Sequence, residues 1–284
     1  MIKKFSNLVV FSHTIFAMPF ALIGFTYAIT STAAKFEWAM LVQVILCMIF
    51  ARNTAMGFNR WADRDIDAKN ERTANRDIPA ARISPRAAII FVVINALLFI
   101  ATACSINPLT ALLSPVALFV VVTYSLCKRF TSAAHLVLGL GLGIAPVGAY
   151  IAVTGSFALA PCILAAVVLT WCSGFDIIYA LQDAEFDRQE GLHSIPARFS
   201  AKGALLISTL LHLCSAGLLI YFAYLLPSSI WITIGVAIFI AILTAEHLLV
   251  TPTRQRNIGI AFGTLNGLAS LTLAILIITG LLVN

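Results

Sequence analysis

Apolar runs of about 20 residues recur along almost the whole chain, near 8–30, 38–58, 87–106, 109–127, 133–153, 160–181, 203–225, 229–250 and 258–282. One helical crossing of a bilayer core takes roughly 20 mostly apolar residues. The pattern therefore predicts an all-α, polytopic membrane bundle of nine transmembrane helices, a single domain over 1–284. The first run continues to about Thr30, longer than the apolar core of a secretory signal, and reads as the first membrane helix. The third and fourth runs are divided only by Ile106-Asn107-Pro108, a turn signal. The fifth carries Gly139, Gly141, Gly143 and Gly148, a spacing suited to close helix packing. No lysine-serine pair follows these glycines, so they do not form a P-loop.

Composition sharpens this reading. Of 284 residues, 61% are hydrophobic and 11% charged, against roughly 45–50% and about 25% in soluble domains. That excludes a water-soluble globule, a disordered chain and a nucleic-acid-binding domain, and the net charge of +6 has a topological explanation. Lys3 and Lys4, the loop arginines and lysine from Arg60 to Arg86, Lys128 and Arg129, Arg188, Arg198 and Lys202, and Arg254 and Arg256 all fall on one side of a nine-span plan. Lys35 alone lies in the opposite loops, and Arg52 is within the second span. Positive residues mark the cytoplasmic side. The N-terminus is therefore expected in the cytoplasm and the C-terminus outside. The six cysteines lie in or beside apolar stretches without metal-ligand spacing, and read as buried apolar side chains.

Two loops on that basic side, 59–86 and 182–202, are long and polar. They hold Asp63, Asp65, Asp67, Glu71 and Asp77, then Asp183, Glu185, Asp187 and Glu190, nine of the 12 acidic residues. Each has Asp-x-x-x-Asp and then Ile-Pro-Ala (78–80 and 195–197), a faint internal repeat that fits either duplication or coincidence. Asn59, Asp63 and Asp67 are spaced by four, as are Asp183 and Asp187. If the second and sixth helices continue past the membrane boundary, each set shares one helix face. Like charges at that spacing cost a few tenths of a kcal/mol, so two such sets call for a compensating cation. Hard oxygen donors favour Mg²⁺, which takes one or two carboxylates plus substrate phosphates. With Arg60, Arg64, Arg72, Arg76, Lys128 and Arg129 interleaved, the loops have the makings of a diphosphate clamp. Asp65, Glu71, Asp77, Glu185 and Glu190 read as solvated loop charges.

Asp176 lies seven residues before Asp183, on the same helical face but inside an apolar span, where an ionisable residue is a functional candidate by default. Its alternatives are a catalytic base and a packing role bonded to Tyr179 or a neighbouring helix. Arg52 has the equivalent place on the second helix, seven before Asn59, with a structural ion pair as its alternative.

At these positions the chain resembles the UbiA superfamily of intramembrane aromatic prenyltransferases. The first signature reads Asn59-Arg60-Trp61-Ala62-Asp63-Arg64-Asp65-Ile66-Asp67, followed by Arg72-Thr73-Ala74-Asn75-Arg76-Asp77-Ile78-Pro79. The second reads Asp176-Ile177-Ile178-Tyr179-Ala180-Leu181-Gln182-Asp183, with Asp187 and Gly191 after it. Tyr124 with Lys128-Arg129-Phe130-Thr131 is similar to the family's lysine-arginine loop. Arg60 departs from the aspartate of many members, at a position expected to lie off the metal-binding face. The resemblance implies Mg²⁺-dependent transfer of a polyprenyl group from its diphosphate to an aromatic acid, of 4-hydroxybenzoate type or a naphthoate, in quinone biosynthesis. It assigns the metal to Asn59, Asp63, Asp67, Asp183 and Asp187, the diphosphate to Arg72, Arg76, Tyr124, Lys128 and Arg129, and catalysis to Asp176 and Asp183. It implies a bacterial inner membrane protein, partnered by lipid and not by nucleic acid, with its site facing the cytoplasm. Phe11-Ser12-His13-Thr14-Ile15-Phe16-Ala17-Met18-Pro19 looks like hydroxybenzoate-type enzymes and their relatives in the futalosine menaquinone route.

A secondary transporter is the non-enzyme alternative, but transporter sites sit near the midplane on broken helices, whereas these acids gather at one end. Phosphotransferases acting on diphosphate-linked alcohols also use spaced aspartates, in a longer motif with glycine-alanine-arginine elements that this sequence lacks. The charge bias makes one direct prediction. A topology reporter fused at Asn284 is expected to read as external, and a cytoplasmic signal would mean that one span has been miscounted.

Overall fold

A computed structural model describes residues 16–283. Lys3, Lys4 and Phe11–Ile15 of the sequence readings lie outside them. The helices are α1 (Met18–Ser31), α2 (Trp38–Ala62), α3 (Arg64–Lys69), α4 (Pro85–Cys104), α5 (Pro108–Cys127), α6 (Ala134–Thr154), α7 (Leu159–Ala180), α8 (Ala184–Gln189), α9 (Ile195–Arg198), α10 (Ala201–Tyr224), α11 (Ile230–Leu249) and α12 (Asn266–Val283). A 3₁₀ turn at Leu181–Asp183 joins α7 to α8, and a π-helical turn at Ile260–Leu265 leads into α12. Among the described residues there are eight helices long and apolar enough to span a bilayer, plus the shorter apolar α1, and no strand. The chain is an all-helical integral membrane bundle, as expected.

Local chemistry sets the helix starts. Ser84 accepts from the Ala87 amide at the head of α4, Asn107 from the Thr110 amide at α5 and Ser200 from the Gly203 amide at α10. These caps satisfy amides that have no partner inside the helix. Pro85 and Pro108 stand at the first helical positions, where a missing N–H costs nothing. Asn107 also donates to the Ile151 and Ala152 carbonyls at the end of α6. The predicted turn between the third and fourth spans is thus tied to the helix beside it.

The centre of the bundle is α7, whose Leu164, Val167, Val168, Trp171, Cys172 and Phe175 are buried with residues of α1, α10, α11 and α12. In lipid there is little hydrophobic drive between helices, so close contact and interhelical hydrogen bonds hold them together. Gly139 and Gly143 of α6 supply the contact: a Cβ there would lie 2.4 Å from the Leu169 carbonyl oxygen and 2.7 Å from that of Ala165. Gly141 and Gly148 do not face α7 in this way; a Cβ at Gly148 would meet nothing within 4 Å. Hydroxyls supply the stitches. Ser173 reaches the His135 carbonyl at 3.1 Å, Ser208 that of Gly174 at 2.8 Å and Ser215 that of Val167 at 3.1 Å.

A second polar cluster sits inside the C-terminal half. Trp171 Nε1 donates to Asn266 Oδ1 at 2.8 Å, and Asn266 Nδ2 donates to Glu246 Oε1 at 3.1 Å and to the Ala261 carbonyl at 2.9 Å. Glu246 and Asn266 are both fully buried. His212 and His247 bond each other through Nδ1 and Nε2 at 2.9 Å beside them.

The α6–α7 seam yields a stability prediction. Gly139→Ala forces the two backbones apart and is expected to cost about 1–3 kcal/mol, the usual penalty of overpacking. Gly148→Ala has open space and gains up to about 1 kcal/mol of helix propensity. Thermal unfolding in detergent should show a lowered Tm for the first and an unchanged or raised Tm for the second.

Candidate active site

The two acidic segments come together at one end of the bundle, over a cavity of about 860 Å³ that runs down between α2, α5, α6 and α7. Its depth is apolar, walled by residues such as Val44, Met48, Leu113, Val121, Leu138 and Ala149, and Ile106 and Ile151 line its far end. Its mouth is polar, with Asn59, Asp63, Asp67, Arg72, Arg76, Tyr124, Lys128, Asp176, Asp183 and Asp187 all on the wall. Two basic residues of the expected clamp lie outside that wall: Arg64, which bonds the Trp61 carbonyl at 2.9 Å, and Arg129, whose guanidinium bonds the Ala62 carbonyl at 2.6 Å and Asp63 at 3.3 Å from the flank.

The helices do not simply continue, as the spacing argument assumed. Helix α2 ends at Ala62 and Asp63 stands at a joint, with φ −92° and ψ 4°, before the six-residue α3. Asp183 stands at an equivalent joint, with φ −105° and ψ 2°, before the six-residue α8. The predicted loops therefore begin as helix, and 182–202 also contains α9. Spacing still holds at the first joint because the backbone ladder runs through it. The Asp63 amide bonds the Asn59 carbonyl at 3.0 Å and the Asp67 amide that of Asp63 at 2.7 Å. Asp63 and Asp67 thus stay on one side, and the matching joints give the suspected repeat a common backbone form.

Every one of these carboxylates is held by a donor. Asp63 is almost fully buried and meets Lys128 Nζ at 2.7 Å and Asn59 Nδ2 at 3.1 Å. Asp67 accepts from Arg76 Nη1 at 2.6 Å. Asp183 receives Asn70 Nδ2 at 3.0 Å and the Arg72 guanidinium, through Nε at 2.9 Å and through Nη2. Burial opposes the charge on Arg72, but its bonds to Asp183 outweigh that and hold its pKa above the ordinary value. The same guanidinium donates to the Tyr179 hydroxyl at 3.0 Å. Asp187 accepts from Ser194 Oγ at 2.7 Å. A buried carboxylate without such partners would carry a desolvation penalty of several kcal/mol.

The two acidic segments are also joined to each other. Besides Asn70 and Arg72 on Asp183, Lys69 meets Glu190 at 2.5 Å, so Glu190 is a bridge and not simply a solvated charge. The His193 amide donates to the Lys128 carbonyl at 2.6 Å.

Asp176 is not bonded to Tyr179. Its Oδ2 lies 2.6 Å from Nδ1 of His135, a buried residue in the first turn of α6, and His135 Nε2 lies 3.3 Å from the Ile195 amide. His135, Asn70 and Ser194 were not in the sequence-derived site. Asn70 and Ser194 sit within acidic loops already singled out, whereas His135 has no local signal, its partners being 41 and 60 residues away. Arg60 was expected off the metal-binding face but lines the cavity; its long side chain reaches round from the neighbouring helical position. Arg52 lines the cavity as well, deeper than Asn59.

Among the described residues no three histidine, cysteine or acidic side chains are gathered as a preformed metal cage. The donor set nonetheless suits Mg²⁺. Each joint offers a pair of carboxylates, and Mg²⁺ completes its shell with substrate phosphate and water instead of protein groups. One buried oxygen, Asp67 Oδ2, has no hydrogen-bond partner, an acceptor placed to take a cation.

Residues 17–281 match the model of the UbiA prenyltransferase family. A relative from Photobacterium profundum, named 4-hydroxybenzoate octaprenyltransferase, is 30% identical over 171 residues, 60% of each chain. One of the same name from Aeromonas salmonicida is 31% identical over 185 residues, 63% of this chain and 64% of its own. The match thus spans under two thirds of these relatives. Among solved structures, a UbiA homologue from Aeropyrum pernix in its apo form has a TM-score of 0.79 and 32% identity, covering 95% of this chain and 97% of its own. A homologue from Archaeoglobus fulgidus bound to GPP and Mg²⁺ has a TM-score of 0.74 at 20% identity, covering 97% and 99%.

Proposed function

The chain belongs to the UbiA prenyltransferase family, and on that footing we propose that it transfers a polyprenyl group from polyprenyl diphosphate to an aromatic acid of the 4-hydroxybenzoate type, with Mg²⁺, in quinone biosynthesis. The observation that carries this reading is the juxtaposition of two aspartate pairs and their basic partners at the mouth of one deep apolar cavity. A diphosphate needs the first and a long hydrocarbon needs the second. The names of the relatives support the acceptor, and Mg²⁺ is the ion in the Archaeoglobus fulgidus complex with GPP. We further propose that the whole chain acts as one transmembrane domain in a bacterial inner membrane. The bias of basic residues toward one set of loops supports a mouth facing the cytoplasm.

In this reading Asn59, Asp63 and Asp67 on one joint, and Asp183 and Asp187 on the other, hold the metal. When bound, Mg²⁺ neutralises charge on the departing diphosphate oxygens. Arg72, Arg76 and Lys128, which pair with Asp183, Asp67 and Asp63, are the cations that the diphosphate engages, with Arg129 and Tyr124 beside them. Their positive charge stabilises the electron pair that leaves with the diphosphate as the allylic C–O bond breaks. The aromatic ring then supplies the electrons of the new C–C bond, and its displaced proton passes to the Asp176 carboxylate. The bridges Lys69–Glu190 and Arg72–Asp183 hold the two acidic segments over the mouth. They help to keep water from the cation while it exists.

Two measurements test this. Asp63→Ala or Asp183→Ala should abolish transfer while leaving the protein membrane-inserted, read as diphosphate release from polyprenyl diphosphate and 4-hydroxybenzoate in isolated membranes. EDTA treatment should do the same reversibly, with activity restored by Mg²⁺. Full activity in either variant, or undiminished activity in EDTA, would overturn the two-site magnesium reading.

A further inference from the structure

We infer that His135 is the positioning residue for Asp176, fixing it as a carboxylate with one oxygen left for the acceptor, and that the second acidic loop sets the tautomer that makes this possible. The inference deepens the proposed reaction and rests on it.

The argument begins at Ile195. A backbone amide nitrogen can only donate, so Nε2 of His135, 3.3 Å from it, presents a lone pair and carries no proton. A neutral imidazole has one N–H, which must then be on Nδ1. Nδ1 lies 2.6 Å from Asp176 Oδ2, so the ring donates and the carboxylate accepts. Such a bond is charge-assisted when its acceptor is a carboxylate, and it is then shorter and stronger than a neutral one. Both residues line the cavity, His135 almost wholly enclosed and Asp176 the more open of the two. Among the described residues His135 is the sole hydrogen-bond partner of Asp176, which leaves Oδ1 for substrate.

This arrangement separates two roles. The imidazole cannot take a second proton at Nε2 while the Ile195 amide points at it, so it orients Asp176 and does not relay the proton onward. The proton displaced from the ring stops on Asp176, forming its neutral acid, and leaves by the mouth. The loop that sets the tautomer also contacts the other acids. Ser194, next to Ile195, donates to Asp187 at 2.7 Å, and the His193 amide is held by the Lys128 carbonyl. Three consecutive residues, His193, Ser194 and Ile195, thus register the base against the diphosphate-binding groups.

Three substitutions divide the contacts of His135. Its replacement by Asn keeps a donor near the Nδ1 position and loses the acceptor for Ile195. Replacement by Gln keeps an acceptor near the Nε2 position and loses the donor to Asp176, and Ala loses both. Steady-state kinetics of wild type and variants with polyprenyl diphosphate and 4-hydroxybenzoate should show His135→Ala and His135→Gln losing about a hundredfold in kcat, the scale on which misplaced catalytic groups act. KM for the polyprenyl diphosphate should stay within about twofold, because the diphosphate groups are untouched. His135→Asn should recover to within about tenfold of wild type. Recovery by Gln instead of Asn would make His135 a loop anchor and overturn the inference, as would equal loss in both or full kcat in His135→Ala. If the Ala variant fails to fold, the Asn and Gln pair still decides. A wild type without transfer activity would overturn the proposed reaction and this inference together, whereas an active wild type with any of the contrary variant patterns overturns this inference alone.

Discussion

The structure depends on one electrostatic constraint: a carboxylate inside an apolar bundle must be matched by a cation or by enough hydrogen-bond donors to replace water. The aspartates of the two joints satisfy it with groups that a bound diphosphate would need for itself. Asp63 holds Lys128, Asp67 holds Arg76 and Asp183 holds Arg72. Three of the four joint aspartates are thus neutralised by basic side chains of the protein itself, and Asp187 is held by the Ser194 hydroxyl. The basic side chains are kept in place by the acids, and the acids by the basic side chains. In the proposed reaction a metal with a diphosphate would exchange one set of paired charges for another.

The two joints decide how these aspartates are presented to the mouth. An uninterrupted α2 would carry Asp63 and Asp67 straight out along its axis. The changed backbone angles at Asp63 instead start a short second helix, and the same happens at Asp183. Each pair is then presented by a helix end and a six-residue helix together. Asn70 and Arg72 come back from beyond α3 to meet Asp183 across the mouth. The half of the site that follows α2 is in this way tied to the half that follows α7.

Much of this was legible in the sequence, for identifiable reasons. Spans could be read because each needs a long apolar run, and the predicted 38–58 and 229–250 match α2 and α11 to within a few residues. The aspartates could be read because their spacing and signature are local. Arg72 and Arg76 were foreseen as site residues, though not the carboxylates they hold, since that pairing is a tertiary fact. The joints were not foreseen: a loop aspartate at the end of an apolar run gives no sign of whether the helix continues. His135 was missed for a stronger reason. A single histidine at the start of a glycine-rich span has no pattern around it, and its meaning comes from an acid on α7 and an amide on α9.

The buried chain Trp171–Asn266–Glu246 carries a consequence for how the protein is made. Glu246 is on α11 and has no solvent contact, and the amide that bonds it belongs to Asn266, the first residue of α12. During synthesis α11 leaves the ribosome before α12 does. Until the later segment arrives, its carboxyl lacks that amide in an apolar setting, where polar groups are costly. Asn266 also receives the Trp171 indole of α7. Helix α12 thus supplies the amide that the buried carboxyl of α11 needs, so neither helix has its polar groups satisfied until the two are paired.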